Sequence, residues 1–236
     1  DYEPEERRLR VGGAPTTSRQ GADYEPVECH LQGTKEWTMT AEDYNDPALI
    51  LIGGFAGTGK PTLSRRLSSE FCIPRLGSDT LGRTIRDSEG LRGANIDAYW
   101  IAYDLLFALC QEFTVSGVSV ILDLTMGWDF QWQRVDWVAR KHPELPLLPI
   151  LLHCPYETCI ERTRQRYEAD PAYYAPPEVY AAVPKNRAIW AYLEALDRPD
   201  VRWIDAERPL DDVYRDIKAT VQTALSQSSR GERTSL

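Results

Sequence analysis

Two apolar rhythms alternate along this chain. The run Ala48-Leu-Ile-Leu-Ile52 is continuous and rich in β-branched residues, as a strand buried on both faces should be. After it, Leu63, Leu67 and Phe71 recur at helical spacing. Cys72–Asp79 reads as a short second strand ending in a polar turn, and a helix is predicted over 95–113. Its broad buried face would hold Ile96, Tyr99, Trp100, Tyr103, Leu106, Phe107 and Cys110. Further strands are predicted over 117–123, 146–154 and 201–204, with helices over 129–141, 156–168, 185–196 and 210–225. The stretch 170–184, rich in Pro and Tyr, reads as a loop or lid. Strands alternating with helices give an α/β fold with a parallel sheet covered on both faces. Ligands should then gather at the carboxyl ends of the strands.

The 236 residues suit one such domain with tails, 47–225, and 42% hydrophobic residues supply its core. Residues 1–46 are polar and carry Asp-Tyr-Glu-Pro twice, so they read as a disordered leader, and 226–236 as a flexible tail. A net charge of −9 argues against broad nucleic-acid binding, though not against a local basic groove. The five cysteines form no C-x-x-C pair, which fits reduced thiols in the cytoplasm, and Cys154 and Cys159 are expected in the core or on a helix face. No signal peptide or apolar stretch of membrane-spanning length is visible.

Between the first strand and the first helix lies Gly54-Phe-Ala-Gly-Thr-Gly-Lys-Pro-Thr62. Gly54, Gly59 and Lys60 fit the phosphate-binding pattern G-x-x-x-x-G-K-[ST], with Phe55, Ala56, Gly57 and Thr58 between them. Backbone N–H groups and the helix dipole would face phosphates there, and Lys60 adds a full charge. Pro61 stands where a hydroxyl belongs. It removes one N–H and the usual protein ligand for Mg²⁺, while Thr62 is rotated by about 100° and cannot simply replace it. The loop therefore reads as a nucleotide site with impaired metal-dependent catalysis; the other reading of Pro61 is an altered residue in an ordinary kinase.

Several polar residues sit at the expected strand ends. Asp79 would be a base toward an attacking hydroxyl or a helix cap, and Arg83 and Arg86 would grip an anionic substrate or face solvent. His153, inside an apolar strand, is expected to be a satisfied buried residue. Asp123 ends an apolar strand, where a carboxylate either holds Mg²⁺ or closes a turn. Arg162 and Arg166 share one helix face, for adenine and phosphate contact or for solvent. Tyr173, Tyr174, Trp190 and Tyr192 read as packing residues, with the tyrosine pair as an alternative cleft wall.

Taken together, Gly54–Thr62, Ser78-Asp-Thr80, Val120-Ile-Leu-Asp123, Arg162-x-x-x-Arg166 and a late strand ending Trp203-Ile-Asp205 resemble the small P-loop kinases often grouped with AAA-type ATPases. That group includes zeta toxin, chloramphenicol phosphotransferase, gluconate kinase and the kinase half of polynucleotide kinase. The likeness covers about residues 48–225 and implies a P-loop three-layer sandwich with a lid over 160–184. It also implies ATP and Mg²⁺ as cofactors and a small hydroxyl-bearing acceptor. By the same resemblance Lys60 binds β/γ-phosphates, Asp79 is the base, Asp123 helps place the metal, Arg162 stacks near adenine and Arg166 contacts phosphate; Thr62, the neighbouring hydroxyl, is the second metal candidate beside Asp123. Three functions compete: a kinase of a small molecule or nucleotide, a nucleotide-binding regulatory module with little turnover, and a kinase of nucleic-acid ends.

Overall fold

The computed structural model describes residues 47–231, except 92, 93, 95, 144, 172, 173, 182 and 183, and excepting the side chains of 180 and 227–231. Five parallel strands form one sheet: β1 (Leu49–Gly54), β2 (Arg75–Gly77), β3 (Val120–Asp123), β4 (Leu147–His153) and β5 (Arg202–Asp205). Their spatial order is β2-β3-β1-β4-β5. The middle strand β1 has β3 on one side and β4 on the other, and Leu49–Ile52 are wholly buried. This is why its sequence shows no polar alternation. The connection from β1 runs to β2 on one side of the sheet and that from β3 crosses to β4 on the other, so the switch point and its crevice lie beyond the carboxyl ends of β1 and β3.

The helices are α1 (Lys60–Phe71), α2 (Ser78–Arg86), α3 (Ala98–Val115), α4 (Asp129–Lys141), α5 (Tyr156–Ala169), α6 (Glu178–Ala181), α7 (Pro184–Glu194) and α8 (Leu210–Gly231). Helix α1 buries Lys60, Leu63, Ser64 and Leu67, a stripe at i, i+3, i+4 and i+7. Among these only the leucines are apolar; the other two belong to the site. The α/β class and the parallel sheet stand as expected.

Several local expectations change. The second strand shrinks to Arg75–Gly77 because Ser78 opens α2 directly, with no intervening turn. Helix α3 starts at Ala98, where the Asp97 carboxylate accepts the N–H groups of Tyr99 and Trp100. Ile96, Tyr99 and Trp100 are exposed rather than buried, since the buried stripe runs through Ala102, Tyr103, Leu106, Phe107 and Cys110. The expected loop 170–184 contains the short α6, Pro184 begins α7 as the first helical residue, and α8 runs on to Gly231. The leader 1–46, the last residues 232–236 and Tyr173 lie outside the described residues.

Candidate active site

At the end of β1 the chain turns through Phe55–Gly59 and enters α1. Gly59 has φ 90°, a left-handed conformation that lets the loop close onto the helix without a side-chain clash. The Phe55 carbonyl is the loop's internal anchor: it accepts Thr58 Oγ1 at 2.8 Å and Lys60 Nζ at 2.9 Å. Gly54 N donates to the Thr125 carbonyl just past β3, at 3.1 Å, joining the two strand ends. Pro61 occupies the first turn of α1, where the missing N–H has no intrahelical partner to lose. Thr62 is exposed on α1.

Gly57 (φ 86°) rests against the first turn of α5. A Cβ there would lie 2.3 Å from the Cys159 carbonyl oxygen, a backbone atom that cannot swing away. Gly57→Ala should therefore push the loop off α5 and weaken nucleotide binding at least about tenfold. Unchanged ATP affinity for that variant, measured beside its melting temperature, would show that the close approach is unimportant. Beneath this contact the thiols of Cys154 and Cys159 lie buried with sulfurs 2.8 Å apart. Sharing one S–H hydrogen bond pushes Cys154 below and Cys159 above the ordinary thiol value, the latter raised further by burial.

Lys60 is the centre of the site's electrostatics. Burial holds its ammonium below the usual lysine value, and the nearby carboxylates of Asp123 and Asp79 work in the opposite direction. Arg166 is close enough to add repulsion. Strand order explains the convergence: register aligns Asp123 with Ile52 of β1 and with Gly77 of β2, directly before Ser78-Asp79. Asp79 sits in the first turn of α2, exposed, and no side-chain cap bond is made at that helix start. The cap position is Gly77, so Ser78, Asp79 and Thr80 lie inside the first turn of α2 rather than at its cap. Burial, with Asp79 nearby, raises the Tyr103 hydroxyl above its usual value.

Arg166 lies with its guanidinium 4.9 Å from the Tyr174 ring centroid, and its Nε is buried with no hydrogen-bond partner among the described residues. Arg162 is placed otherwise: its Nη1 donates to the Ala206 carbonyl after β5, at 2.8 Å, which fastens α5 to the β5–α8 loop. Arg83 and Arg86 lie on α2, where Arg86 pairs with Asp87. His153 is half-exposed rather than buried; Glu194 of α7 is its partner. Trp190 packs edge-on to Tyr156, and the Tyr192 hydroxyl donates to Asp129.

Two residues of the site escaped the sequence reading. Ser64 Oγ donates to Asp123 Oδ2 at 2.8 Å, and Arg75 gives Nε to Ser64 Oγ at 2.7 Å and Nη2 to the same Asp123 oxygen at 2.5 Å. The signals were a serine on the buried stripe of α1, which must find a partner, and a charge inside a short strand.

Phosphoryl transfer on a phosphate loop of this kind in general uses ATP with Mg²⁺. The donors here fit that ion poorly: position 61 offers no hydroxyl, Thr62 is exposed, and one Asp123 oxygen already takes two donors. Among the described residues no group of three His, Cys, Asp or Glu side chains is arranged to hold a metal, and no helix is long and apolar enough to cross a membrane.

The fold is shared with solved kinases. A gluconokinase from Sinorhizobium meliloti 1021 is 19% identical, with a TM-score of 0.50 over 78% of this chain and 96% of that one. A sugar kinase from Janibacter sp. HTCC2649 is 17% identical, with a TM-score of 0.52 over 76% of this chain and 97% of that one. At such identities the likeness speaks for architecture alone. No curated protein matches the chain. Residues 49–187, more than half of the sequence and all of the phosphate loop, match the family model described as an AAA domain, and the chain belongs to that P-loop family.

Proposed function

We propose that this protein is an ATP-dependent phosphotransferase that moves the γ-phosphate to a hydroxyl group of a small molecule or nucleotide. The observation that carries the reading is one buried ammonium, Lys60 at the end of the phosphate loop, within electrostatic reach of Asp123 at the end of β3 and of Asp79 in the helical turn just past the adjacent β2. Loop amides and Lys60 Nζ would hold the β/γ-phosphates, which compete with the Phe55 carbonyl for the same donor. The acceptor oxygen attacks the γ-phosphorus as the bond to the ADP oxygen breaks, and the acceptor proton passes to the Asp79 carboxylate. Arg166, with an unpartnered buried Nε, would stabilise charge on the transferring group. Arg83 and Arg86 would orient an anionic acceptor. Arg162 would border the base of the nucleotide from its seat against Ala206. Residues 160–184 would move as a lid within a domain spanning 47–225.

A screen of hydroxyl-bearing metabolites for ATP-dependent gain of one phosphoryl mass tests the reading. Transfer to at least one acceptor is expected. ATP binding with no acceptor found and no turnover would instead favour the second reading, a nucleotide-binding regulatory module. Pro61 and the Arg75–Asp123 ion pair favour that alternative, because both remove what metal-dependent turnover ordinarily uses. Pro61→Ser separates the two: faster transfer, by about tenfold or more, marks an impaired kinase. An equal rate removes Pro61 as the cause of any impairment.

A further inference from the structure

The buried triad of Ser64, Arg75 and Asp123 occupies the place where a metal-assisted site would keep its carboxylate open. Arg75 and Asp123 side chains are only 13% and 5% exposed. Asp123 Oδ2 receives Arg75 Nη2 at 2.5 Å and Ser64 Oγ at 2.8 Å, while Arg75 Nε closes the ring on Ser64 at 2.7 Å. The guanidinium is fitted by its surroundings. Gly77, two residues along β2, lies beneath it, and a Cβ at that position would come within 2.8 Å of Nη2. Its charge thus stands beside Asp123, the carboxylate that Lys60 feels most strongly.

Two independent features point the same way. Pro61 withdraws the hydroxyl that would ligate a divalent ion, and Ser64, one turn further along α1, spends its own hydroxyl on Asp123. A dication drawn to Asp123 would face a fixed guanidinium across a few ångströms of low-dielectric protein, and the two cations repel. We infer that Arg75, held by Ser64 and Asp123, stands in for the divalent cation at this site, so that the loop binds nucleotide without needing Mg²⁺. This rests on the proposed nucleotide-binding reading and adds to it a cation supplied by the chain. Arg75 is a positioning residue: it acts through Asp123, neutralising the carboxylate that would otherwise repel phosphate oxygens, as a bound dication would.

The test begins with the unaltered full chain, titrated with ATP by calorimetry in EDTA and again in Mg²⁺. The two dissociation constants should agree within about fivefold. A larger tightening by Mg²⁺ overturns the inference and leaves the nucleotide-binding reading intact; no binding in either buffer overturns both. Arg75→Met should lose about tenfold or more in EDTA and regain it with Mg²⁺, whereas Arg75→Lys, which keeps the charge but not the two-point fit to Ser64 and Asp123, should fall between Arg75→Met and the parent. Affinity in EDTA that is unchanged in Arg75→Met, with the melting temperature alone lowered, would make the triad merely structural. Should Arg75→Met fail to fold, the parent's two titrations and Arg75→Lys still decide the matter.

Discussion

Lys60→Met is expected to weaken ATP binding about 100-fold while leaving the fold intact. The ammonium is buried below the loop and is the group most able to follow phosphate oxygens. Charge-assisted contacts of this kind contribute about 1.5–3 kcal/mol each, so two lost contacts amount to about 3 kcal/mol or more. Methionine keeps the length of the side chain. It also relieves the desolvation that holds the lysine's pKa down, so the melting temperature should stay level or rise. Calorimetry and a melting curve on one preparation separate the effects. Undiminished affinity would mean that phosphates do not sit on this loop; joint loss of affinity and stability would mean that Lys60 is structural.

Asp79→Asn is expected to leave ATP affinity within about twofold and to lower the transfer rate by about 10² to 10⁴. The rival role of Asp79 predicts a different size and kind of effect. A carboxylate in the first turn of a helix contributes about 0.3–1 kcal/mol through the dipole, and no side-chain cap is formed at the start of α2. Replacement by Asn should therefore shift stability by less than 1 kcal/mol. A rate unchanged beside a lowered melting temperature would return Asp79 to the helix terminus. A rate lowered without a stability change assigns it to the reaction.

The sheet was legible because its strands are buried on both faces. Ala48–Ile52, 117–123 and 146–154 read as largely apolar runs, as strands of a parallel layer covered by helices do, and β1, β3 and β4 fall within them. The phosphate loop was legible because its glycines have fixed offsets from Lys60. Helix α2 was hard to read, since nine residues starting Ser-Asp-Thr look equally like a polar turn. Tyr99 and Trp100 misled for a different reason: α3 is apolar most of the way round, and hydropathy alone does not tell which side meets the sheet. His153 looked buried because its neighbours are, yet it lies next to the edge strand β5, where Glu194 reaches it.

Within the site, the convergence of Lys60, Asp79 and Asp123 followed from position at strand ends. The triad did not, because Ser64, Arg75 and Asp123 come from α1, β2 and β3, and only register brings them together. Breaking such a buried pair by removing one partner costs about 3–5 kcal/mol, and that cost ties β2 to the core beyond what three strand residues supply. The same pair is what separates this site from an open, metal-ready carboxylate. The phosphate loop and the ion pair must therefore be judged together.

Titration calorimetry of the full chain with ATP, with and without Mg²⁺ and repeated on Lys60→Met, is the most direct check of nucleotide capture by this loop. The expected record is saturable heat with the parent in both buffers and about 100-fold weaker binding for the variant. Flat traces for the parent in both buffers, or equal affinities for parent and Lys60→Met, would contradict it.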